Sequence, residues 1–475
     1  MNSTISQNNS KNKKIYFSPW VILFWIALWQ IASMIIDESI LLASPYSVVI
    51  ALSTMIFELD FWTSILFTLG MISTGFLIAI ALGIALALIS KKSDLVRQLL
   101  SPLVTFSTSV PIASFIILIL IWIPSRYISI IITVIMVFPI VYTNILNSLV
   151  NLNKDISEMA AVFKLSYYAR LRYVILPQVF PHFISACKIS IGLAFKAGIA
   201  AEVIGLPDNS IGEQLYQSKI YLDTPNLFAW TSVIILISIA YEKLIILTLN
   251  TLNKLSQKYN IDSLCRNDTI STTIENTNYD FITIDNLVKN YSDLNVFDGL
   301  NLKIEHGNLT CIGGDSGIGK TTLLRLISNL ETYDSGDISG CTNYSMSFVF
   351  QEDRLIDNLN VYTNLLLPHI GKKSIKKLDK FLLDNYLSSL NLLNIGYKPV
   401  CELSGGMKRR IALLRAIIAD YDILFLDEPF KGLDDDTKYK VIDFVKNMTT
   451  NKTIIYVSHD KFEIDYVKPN TTIIL

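Results

Sequence analysis

The chain is short of charge, and this shortage is the first guide to its class. Only 17% of its 475 residues are Asp, Glu, Lys or Arg, whereas soluble domains average about 25%, and 51% are hydrophobic. The net charge of −1 leaves no basic excess, which argues against nucleic acid as a partner because nucleic-acid-binding proteins present a basic face. The composition also excludes a single globular enzyme, a disordered protein and a fibrous protein.

Cysteine is scarce and indicates neither a disulfide framework nor a metal site. The cysteines form no CxxC pair and show no metal-ligand spacing. We expect small buried hydrophobic side chains in a reducing compartment. The five positions are Cys187, Cys265, Cys311, Cys341 and Cys401.

Charge is divided unevenly along the chain. Residues 1–260 carry 17 Lys and Arg against 12 Asp and Glu, a net of +5, and residues 261–475 carry the remaining 23 against 29, a net of −6. An apolar half is therefore joined to a soluble, acidic half. We predict a multidomain protein whose parts are a membrane domain at 1–255, a polar linker at 256–278 and a soluble domain at 279–475.

Six apolar runs in the first half are long enough to cross a bilayer, which takes about 20 residues. The first run follows three lysines but lacks a small-residue cleavage site, so we expect a retained anchor rather than a signal peptide. Where the third run divides from the fourth stays open. The runs predict an all-α transmembrane domain with six helices, at Pro19–Ile36, Thr63–Ile89, Leu99–Ile123, Ile128–Val150, Phe183–Ile204 and Leu227–Asn250.

The distribution of basic residues predicts the orientation in the lipid bilayer. With the N-terminus inside, twelve Lys and Arg fall in cytoplasmic segments, and only Arg126 and Lys219 fall in outside segments. This distribution follows the positive-inside rule. Six spans return the chain to the cytoplasm, so we predict a multi-pass protein with both termini and the soluble half in the cytoplasm.

The fifth run contains ionisable residues, which are costly in a membrane. A lysine at mid-membrane, such as Lys196, costs about 2.5–3.5 kcal/mol on insertion scales and normally faces a cavity or a partner. Lys196 and Glu202 lie about 240° apart around a helix, so they cannot pair within it. Two hypotheses stay open: a substrate pathway for an anionic solute, or a structural pair with another helix or a second subunit.

The second half contains a phosphate-binding loop of the form GxxxxGK[ST]. A strand candidate, Leu309–Ile312, precedes the loop, and the apolar helix Leu323–Leu330 follows it. Glycines let backbone N–H groups surround phosphate oxygens, Lys320 reaches the β- and γ-phosphates, and the Thr321 hydroxyl can bind Mg²⁺. The predicted nucleotide-binding residues are Gly314, Asp315, Ser316, Gly317, Ile318, Gly319, Lys320, Thr321 and Thr322.

Polar residues follow further apolar runs in the same half. The apolar run that begins at Ile423 ends in two carboxylates, of which Asp427 is placed to bind Mg²⁺ and Glu428 to polarise a water. His459 ends another strand, where it can contact the γ-phosphate. Between them, a helix with an N-terminus suited to phosphate begins at Ser404, Gly405 and Gly406.

Together these elements resemble the ATP-binding cassette of ABC transporters, over roughly 279–475. The resemblance implies an α/β P-loop fold, with ATP and Mg²⁺ as cofactors. It implies that Tyr291 stacks on adenine, that Gln351 joins Mg²⁺ to the membrane domain, and that Glu428 is the general base.

The family pattern also implies a second copy of the chain. In this family the residues at Ser404–Gly406 contact the ATP that the other subunit holds, and Asp434 belongs to a loop that crosses to the partner cassette. One chain carries one cassette, so the resemblance implies a homodimer with twelve spans and two ATP sites.

A cytoplasmic segment at 155–177 resembles the EAA loop of ABC importers, whose helix docks on the cassette. Glu158, Ala160 and Lys164 are the coupling residues implied, with Lys164 where the family has glycine. Exporters lack this loop, so the resemblance implies import. A charged amphipathic cytoplasmic helix is the alternative interpretation.

The stretch Phe195–Gly205 and the cassette run Val349–Leu355 resemble the nitrate, taurine and aliphatic-sulfonate import family. Two departures stand out. Arg409 replaces the usual Gln and is expected to add charge beside the composite ATP site, and Ile356–Asn358 replaces Leu-Pro-Trp on the surface expected to meet the membrane domain. The segment after His459 is short, so we expect no regulatory tail.

These resemblances imply an ATP-driven half-transporter in the bacterial plasma (inner) membrane. It is expected to import a small solute such as a sulfonate, taurine or nitrate, delivered by a separate extracytoplasmic substrate-binding protein. Two alternatives stay open. One is an importer of a thiamine-precursor pyrimidine, and the other is a non-transporting ATP-driven membrane sensor, for which the sequence supplies no output domain.

Overall fold

The computed structural model describes residues 19–264, 281–291, 294–315, 317–341, 344–370 and 380–475, without the side chains at 108 and 254–264. The chain divides into two compact units. The helical unit takes the described residues up to Leu146 together with Phe183–Leu247. The sheet unit takes Asn147–His182 and the described residues from Thr248 to Leu475. Ser316 and Cys265 lie outside the described residues.

The apolar first half folds into helices, because a segment surrounded by lipid must satisfy its backbone hydrogen bonds internally. The short helices between the predicted spans are α2, α7, α8 and α10. In chain order the helices are α1 (Pro19–Ile36), α2 (Pro45–Met55), α3 (Leu59–Lys92), α4 (Asp94–Ser109), α5 (Ile112–Leu120), α6 (Ile128–Val150), α7 (Lys154–Val162), α8 (Tyr167–Ala169), α9 (Leu176–Gly205), α10 (Ile211–Ile220) and α11 (Thr224–Leu264).

One predicted span contains two helices. In place of Leu99–Ile123 the structure has α4 and α5, bent by 102° relative to each other. Pro111 disfavours the α conformation in the residue before it, and Val110 is extended, with ψ of 138°. The other five predicted spans overlap helices that are long and apolar enough to cross a membrane: Pro19–Ile36, Leu59–Lys92, Ser125–Val150, Tyr167–Gly205 and Thr224–Asn253. The number of spans and their orientation stay predictions.

The predicted linker at 256–278 begins inside helix α11, which continues through Leu264. The remainder of that segment lies outside the described residues. The domain boundaries therefore stay predictions.

The described cysteines differ in exposure. Cys187, Cys311 and Cys341 are buried, as expected for small hydrophobic side chains, whereas Cys401 is exposed. Cys401 lies in a short 3₁₀ turn, Val400–Glu402, which explains its exposure because connecting segments run over the surface.

Small residues line the buried side of α3. Its buried positions recur every three or four residues, which defines one face of a helix. A Cβ added at Gly75 would lie 2.6 Å from the carbonyl oxygen of Ile130, and one added at Gly83 would lie 2.8 Å from Cγ1 of Val141. Helix α3 therefore packs closely on α6, as small residues allow in membrane proteins.

Glu202 is fully buried and ties several helices of the helical unit together. Thr68 Oγ1 donates a hydrogen bond to Glu202 Oε2 at 2.8 Å, and Ser129 Oγ donates to Oε1 at 3.1 Å. The backbone N–H of Gly212 also donates to Oε2, at 3.3 Å. The carboxylate thus joins α3, α6 and the start of α10 to α9. The substrate-pathway role of Glu202 and Lys196 stays a prediction, and Lys196 is exposed.

We expect the substitution Gly212→Ala to destabilise the helical unit by about 1–3 kcal/mol, the usual cost of overpacking. The added Cβ would lie 2.2 Å from the Cβ of Glu202 and 2.5 Å from its carbonyl carbon. The matched control is Gly192→Ala in α9, where a Cβ meets nothing within 4 Å and the gain is about 0.5–1 kcal/mol. Thermal unfolding of the two purified variants in detergent would measure the difference. Equal melting temperatures would contradict this packing.

The sheet unit contains an antiparallel sheet and a parallel sheet. The antiparallel order is β2-β1-β4, and the parallel order is β5-β6-β7-β3-β8. The strands are β1 (Phe281–Tyr291), β2 (Leu294–Glu305), β3 (Leu309–Gly313), β4 (Ser335–Ser339), β5 (Met346–Val349), β6 (Ile423–Asp427), β7 (Thr453–Val457) and β8 (Thr471–Ile474). The helices of its second segment are α12 (Lys320–Ile327), α13 (Val361–Leu366), α14 (Lys380–Ser389), α15 (Gly405–Ile418), α16 (Asp435–Met448) and α17 (Lys461–Val467).

Strands β6 and β7 are buried along their whole length. Both are nearly continuous apolar runs, as expected for central strands of a parallel sheet covered on both faces. The predicted α/β fold is thereby confirmed. Because parallel strands end at the same edge, the loops after β3, β6 and β7 meet there, and the candidate site lies at this edge.

Candidate functional site

The loop between β3 and α12 is shaped by glycine. Gly314, Gly317 and Gly319 have φ values of +138°, +91° and +105°, a region that favours glycine. A Cβ at Gly319 would lie 2.6 Å from Cγ1 of Val296, so no side chain fits there. Lys320 Nζ donates to the carbonyl oxygens of Gly314 at 2.8 Å and Asp315 at 2.7 Å. The ammonium group therefore lies over the loop that would surround phosphates.

A cavity of about 930 Å³ opens beside this loop. Its size is in the range of small-molecule and cofactor sites. Ile318 is exposed beside Gly314 and does not line the cavity. The predicted residues that do line it are Gly314, Asp315, Gly317, Gly319, Lys320, Thr321, Thr322, Gln351, Glu428 and His459.

The carboxylate of Glu428 is held by three side chains from different loops. Lys431 Nζ lies 2.7 Å and Gln351 Nε2 lies 3.3 Å from Oε2, and His459 Nδ1 lies 3.1 Å from Oε1. Partial burial would raise the pKa of Glu428, but Lys431 and His459 together lower it below its ordinary value. Glu428 is therefore ionised at neutral pH, as a general base must be. Lys431 was not predicted as a site residue.

Asp427 is buried between the loop and the sheet. Thr321 Oγ1 donates to Asp427 Oδ2 at 2.9 Å, whereas Oδ1 has no hydrogen-bond partner among the described residues. Burial raises the pKa of Asp427, although the hydrogen bond from Thr321 opposes this. A buried oxygen without a partner is costly, and Mg²⁺ prefers such carboxylate oxygens. The residues present therefore fit a magnesium ion held by Thr321 and Asp427.

Other predicted nucleotide contacts do not line this cavity. Ser404 caps α15 by accepting a hydrogen bond from the N–H of Met407 at 3.4 Å, and Gly405 and Gly406 form the first turn of that helix. Asp434 caps α16 by accepting from the N–H of Thr437 at 3.0 Å. Tyr291 is exposed at the end of β1, and its hydroxyl donates to Glu331.

Helix α7, predicted as the coupling helix, packs into the core of the sheet unit. Its residues Ile156, Met159 and Ala160 are buried in the same hydrophobic cluster as the strands. Asn358, which departs from the family pattern, donates from Nδ2 to the carbonyl oxygen of Pro177 at 3.1 Å. The segment 155–177 is therefore docked on the parallel-sheet domain through both apolar and polar contacts.

Glu158 of α7 lies between two arginines. Arg325 donates from Nη2 to Oε1 at 3.0 Å and from Nη1 to Oε2 at 3.1 Å, and Arg354 donates from Nη1 to Oε2 at 2.8 Å. Arg354 also reaches Asp155 at 3.1 Å and stacks over the Phe350 ring. Burial would raise the pKa of Glu158, but the two arginines lower it below its ordinary value. Neither arginine was predicted as a coupling residue.

Lys164 adopts a left-handed turn conformation, which usually favours glycine. It follows α7 with φ of +50°, and its N–H bonds to the carbonyl of Ala161 at 2.9 Å while the N–H of Leu165 bonds to that of Ala160 at 3.1 Å. These two bonds form the Schellman pattern that closes many helices. Lysine thus occupies the left-handed position of this turn.

We expect Lys164→Gly to stabilise this turn by up to about 1 kcal/mol. A left-handed conformation costs an L-residue about 1–2 kcal/mol, which the greater freedom of unfolded glycine partly offsets. Lys164→Ala is the matched control, because it removes the charge and keeps the strain. Hydrogen–deuterium exchange across 154–165 would rank the stability of this turn in the purified parent, Lys164→Gly and Lys164→Ala chains. Equal exchange in the Gly and Ala variants would overturn the prediction.

Arg409 was predicted to add charge beside the composite ATP site, and in the structure this charge lies inside the sheet unit. Its side chain is buried, because Nε donates to the carbonyl of Pro429 at 2.8 Å and the Nη atoms donate to those of Phe350 and Glu428, each at 2.6 Å. It also pairs with Asp353 at 3.3 Å. Arg409 thus joins α15 to the loops that carry Gln351 and the catalytic carboxylates.

We expect Arg409→Ala to destabilise the sheet unit by about 3–5 kcal/mol, the cost of breaking a buried ion pair. Arg409→Gln restores the family residue and two N–H donors, so its cost should be smaller. The surface control is Lys440→Ala in α16, where the side chain is exposed and the expected change is within about 0.5 kcal/mol. Exchange of the β5 and β6 amides in the purified chain would measure the three costs. If these amides were as well protected in the Arg409→Ala chain as in the Lys440→Ala control, this cross-link would be ruled out.

Comparison with known protein families supports both halves of this description. Residues 297–431 match the family model described as ABC transporter. Residues 79–258 match the model described as binding-protein-dependent transport system inner membrane component.

Curated relatives match the second half. The phosphonates import ATP-binding protein of Fusobacterium nucleatum is 30% identical over 203 residues, covering 38% of this chain and 82% of that protein. The sulfate/thiosulfate import ATP-binding protein of Bradyrhizobium diazoefficiens is 33% identical over 197 residues, and the spermidine/putrescine import ATP-binding protein of Acetivibrio thermocellus is 34% identical over 195 residues. Each covers 38% of this chain, which spans only just over half the length of these two relatives, 57% and 55%.

Solved structures also resemble this part of the chain. An ABC transporter ATP-binding protein from Pyrococcus furiosus is 26% identical, with a TM-score of 0.36, and the match covers 41% of this chain and 97% of that protein. The two family matches and the phosphonate relative decide the family. The chain belongs to the ABC transporter family, as an importer that joins a permease and a cassette coupling ATP hydrolysis to transport in one polypeptide.

Proposed function

We propose that this importer carries a small sulfonate, taurine-like or nitrate-like solute into a bacterial cell. It acts as a homodimer in the plasma membrane, with its termini and cassette in the cytoplasm, and receives its cargo from a separate extracytoplasmic substrate-binding protein. The observation that carries the importer proposal is the position of Glu158 between Arg325 and Arg354. These ion pairs attach the cassette to a helix that belongs to the permease sequence.

The residues of the cavity have distinct roles in hydrolysis. Lys320 turns from the loop carbonyls to the β- and γ-phosphates of ATP, and the loop N–H groups orient the same phosphates. Glu428 accepts a proton from the attacking water, and His459 contacts the γ-phosphate. When bound, Mg²⁺ would supply charge neutralisation at the phosphates, held by Thr321, Asp427 and Gln351.

A second copy of the chain completes each ATP site. Ser404, Gly405, Gly406 and Asp434 lie at the starts of α15 and α16, outside the cavity that the loop residues line. The start of a helix presents free N–H groups to an anion. In the proposed homodimer these residues contact the ATP that the partner holds.

The class of cargo is supported by the permease sequence and by the cassette run Val349–Leu355, which resemble the same import family. Phe195–Gly205 carries the resemblance to nitrate, taurine and sulfonate permeases, and it includes Lys196, an exposed cation suited to an anionic solute. Relatives of the cassette are named for phosphonate and for sulfate or thiosulfate import, but also for polyamine import.

The first test is uptake of labelled taurine, an alkanesulfonate, nitrate and the thiamine-precursor pyrimidine by cells that carry the intact chain or Glu428→Gln. The variant should bind ATP and hydrolyse it at least about 100-fold more slowly, because it lacks the general base. Loss of one of the first three uptakes would identify the cargo. Near-normal ATP turnover by the variant would remove Glu428 from its role.

The alternatives give different outcomes in the same test. Loss of only the pyrimidine uptake would replace the anionic cargo with the pyrimidine. Equal uptake of all four solutes by both strains would contradict the proposed cargo and favour a membrane sensor. Lys196→Met is the companion variant, and unchanged uptake with it would exclude this lysine from the substrate pathway.

A further inference from the structure

A continuous series of hydrogen bonds connects Tyr291 with helix α7. The Tyr291 hydroxyl donates to Glu331 Oε1, and Arg325 Nε donates to the other carboxylate oxygen, Oε2, at 3.2 Å. The two Nη atoms of Arg325 in turn donate to Glu158, at 3.0 and 3.1 Å. Four side chains thus link the end of β1, the segment after α12, α12 itself and α7.

Glu331 is the centre of this series. Lys289 Nζ lies 3.3 Å from Glu331 Oε1, donates to the carbonyl of Thr332 at 2.8 Å and lies 4.7 Å from the centre of the Tyr291 ring. Partial burial would raise the pKa of Glu331, but Tyr291, Lys289 and Arg325 lower it below its ordinary value. The carboxylate is therefore ionised at neutral pH, and such charge-assisted hydrogen bonds are the strong ones.

Helix α12 gives the series a mechanical connection to the phosphate loop. Lys320 and Thr321 form its first turn, and Arg325 lies in its last turn. Glu331 follows a few residues after the end of the helix. A change at the base end of a nucleotide and a change at its phosphate end therefore reach Arg325 by different contacts.

We propose that Tyr291, Glu331, Arg325 and Glu158 form a relay that reports the purine base of a bound nucleotide to helix α7. In this relay Glu331 is a positioning residue. A base stacked on Tyr291 fixes the plane of the ring and hence the direction of its hydroxyl. Glu331 then fixes the guanidinium of Arg325 against Glu158. The proposal rests on the proposed stacking of adenine on Tyr291 and on α7 as the coupling helix.

The relay differs from the connection through Gln351. That connection begins at the phosphate end of the cavity, where Gln351 contacts Glu428. It continues along the chain to Arg354, which also holds Glu158. Glu158 thus receives one arginine from each end of the nucleotide site, and the relay makes α7 sensitive to the base as well as to the phosphates.

The test is hydrogen–deuterium exchange of residues 154–162 in the full-length chain in detergent. Two probes are compared, each at a saturating concentration: AMPPNP, which has a purine base, and inorganic tripolyphosphate, which has none. We expect AMPPNP to slow exchange in this segment by at least about 5-fold more than tripolyphosphate does, the lower range of allosteric coupling, because tripolyphosphate can act only through the phosphate end. Equal protection by the two probes, or none with AMPPNP, would overturn the relay.

Glu331→Gln is the principal variant, because the amide is uncharged and has one acceptor oxygen for Tyr291 and Arg325, which use the two oxygens of the carboxylate. It should bind AMPPNP within about twofold of the parent and lose the protection of 154–162 that AMPPNP gives beyond tripolyphosphate. Tyr291→Phe, which lacks the hydroxyl, should lose the same protection. Tyr333→Phe is the matched control, since Tyr333 is also exposed and lies nearby, and it should behave as the parent. Retained protection in both relay variants would rule the relay out.

A separate measurement distinguishes failure of the relay from failure of the proposed stacking. Loss of a base–aromatic stack costs roughly 1–3 kcal/mol, so Tyr291→Ala should weaken AMPPNP binding by about tenfold. Unchanged binding by this variant would remove the stacking, and the relay with it. Weakened binding together with full protection in Glu331→Gln would keep the stacking and overturn the relay.

Discussion

The ion pairs of Glu158 with Arg325 and Arg354 are the contact on which the rest of the sheet unit depends. One carboxylate accepts hydrogen bonds from two guanidinium groups, and one of these groups is almost fully buried. Removing one partner of such an ion pair strongly lowers the stability of the fold, because the other partner is left as an uncompensated charge. These ion pairs therefore hold α7 in one position relative to the phosphate loop and to the loop of Gln351, rather than merely attracting it.

The same principle recurs at Arg409. Its guanidinium fills a gap between backbone carbonyls of two loops, so the positions of Gln351 and Glu428 depend on a residue that touches neither side chain. Together Arg409 and the arginines at Glu158 fix the catalytic loops from one side and the coupling helix from the other. The site is thus organised by buried cations that were not recognised as functional in the sequence.

Much of the cassette was predictable because its loops are encoded over short distances. Spacing within Gly314–Thr322 and the apolar run before Asp427 specify a loop or a strand without reference to the rest of the chain. Contacts between residues that are distant in the sequence could not be predicted in this way. Glu158 and Arg325 are 167 positions apart, and nothing local indicates that they meet. The burial of Arg409 was not predicted for the same reason, since burial is decided by tertiary packing.

The helical half shows a second limit of sequence analysis. Hydropathy is averaged over a window of residues, so it predicted one span across α4 and α5. Such an average does not show that Val110 is extended before Pro111. Glu202 was visible as a charge in an apolar run, but its partners are two hydroxyl groups and a backbone N–H. Hydroxyl residues are common in such runs, so the pattern alone could not choose between a pathway and a structural role.

The row of small residues on α3 determines which substitutions this helix tolerates. In the core of a soluble protein, shortening a side chain is the usual damage, because it leaves a cavity. On the buried side of α3 the sensitivity is reversed, since Gly75 and Gly83 already lie against the backbone or side chains of α6. On the opposite side, large residues such as Leu66 and Leu77 are exposed and can vary in size. The two faces of α3 thus have opposite mutational tolerance. The glycine positions on the buried face do not accept a larger side chain, whereas the exposed face does.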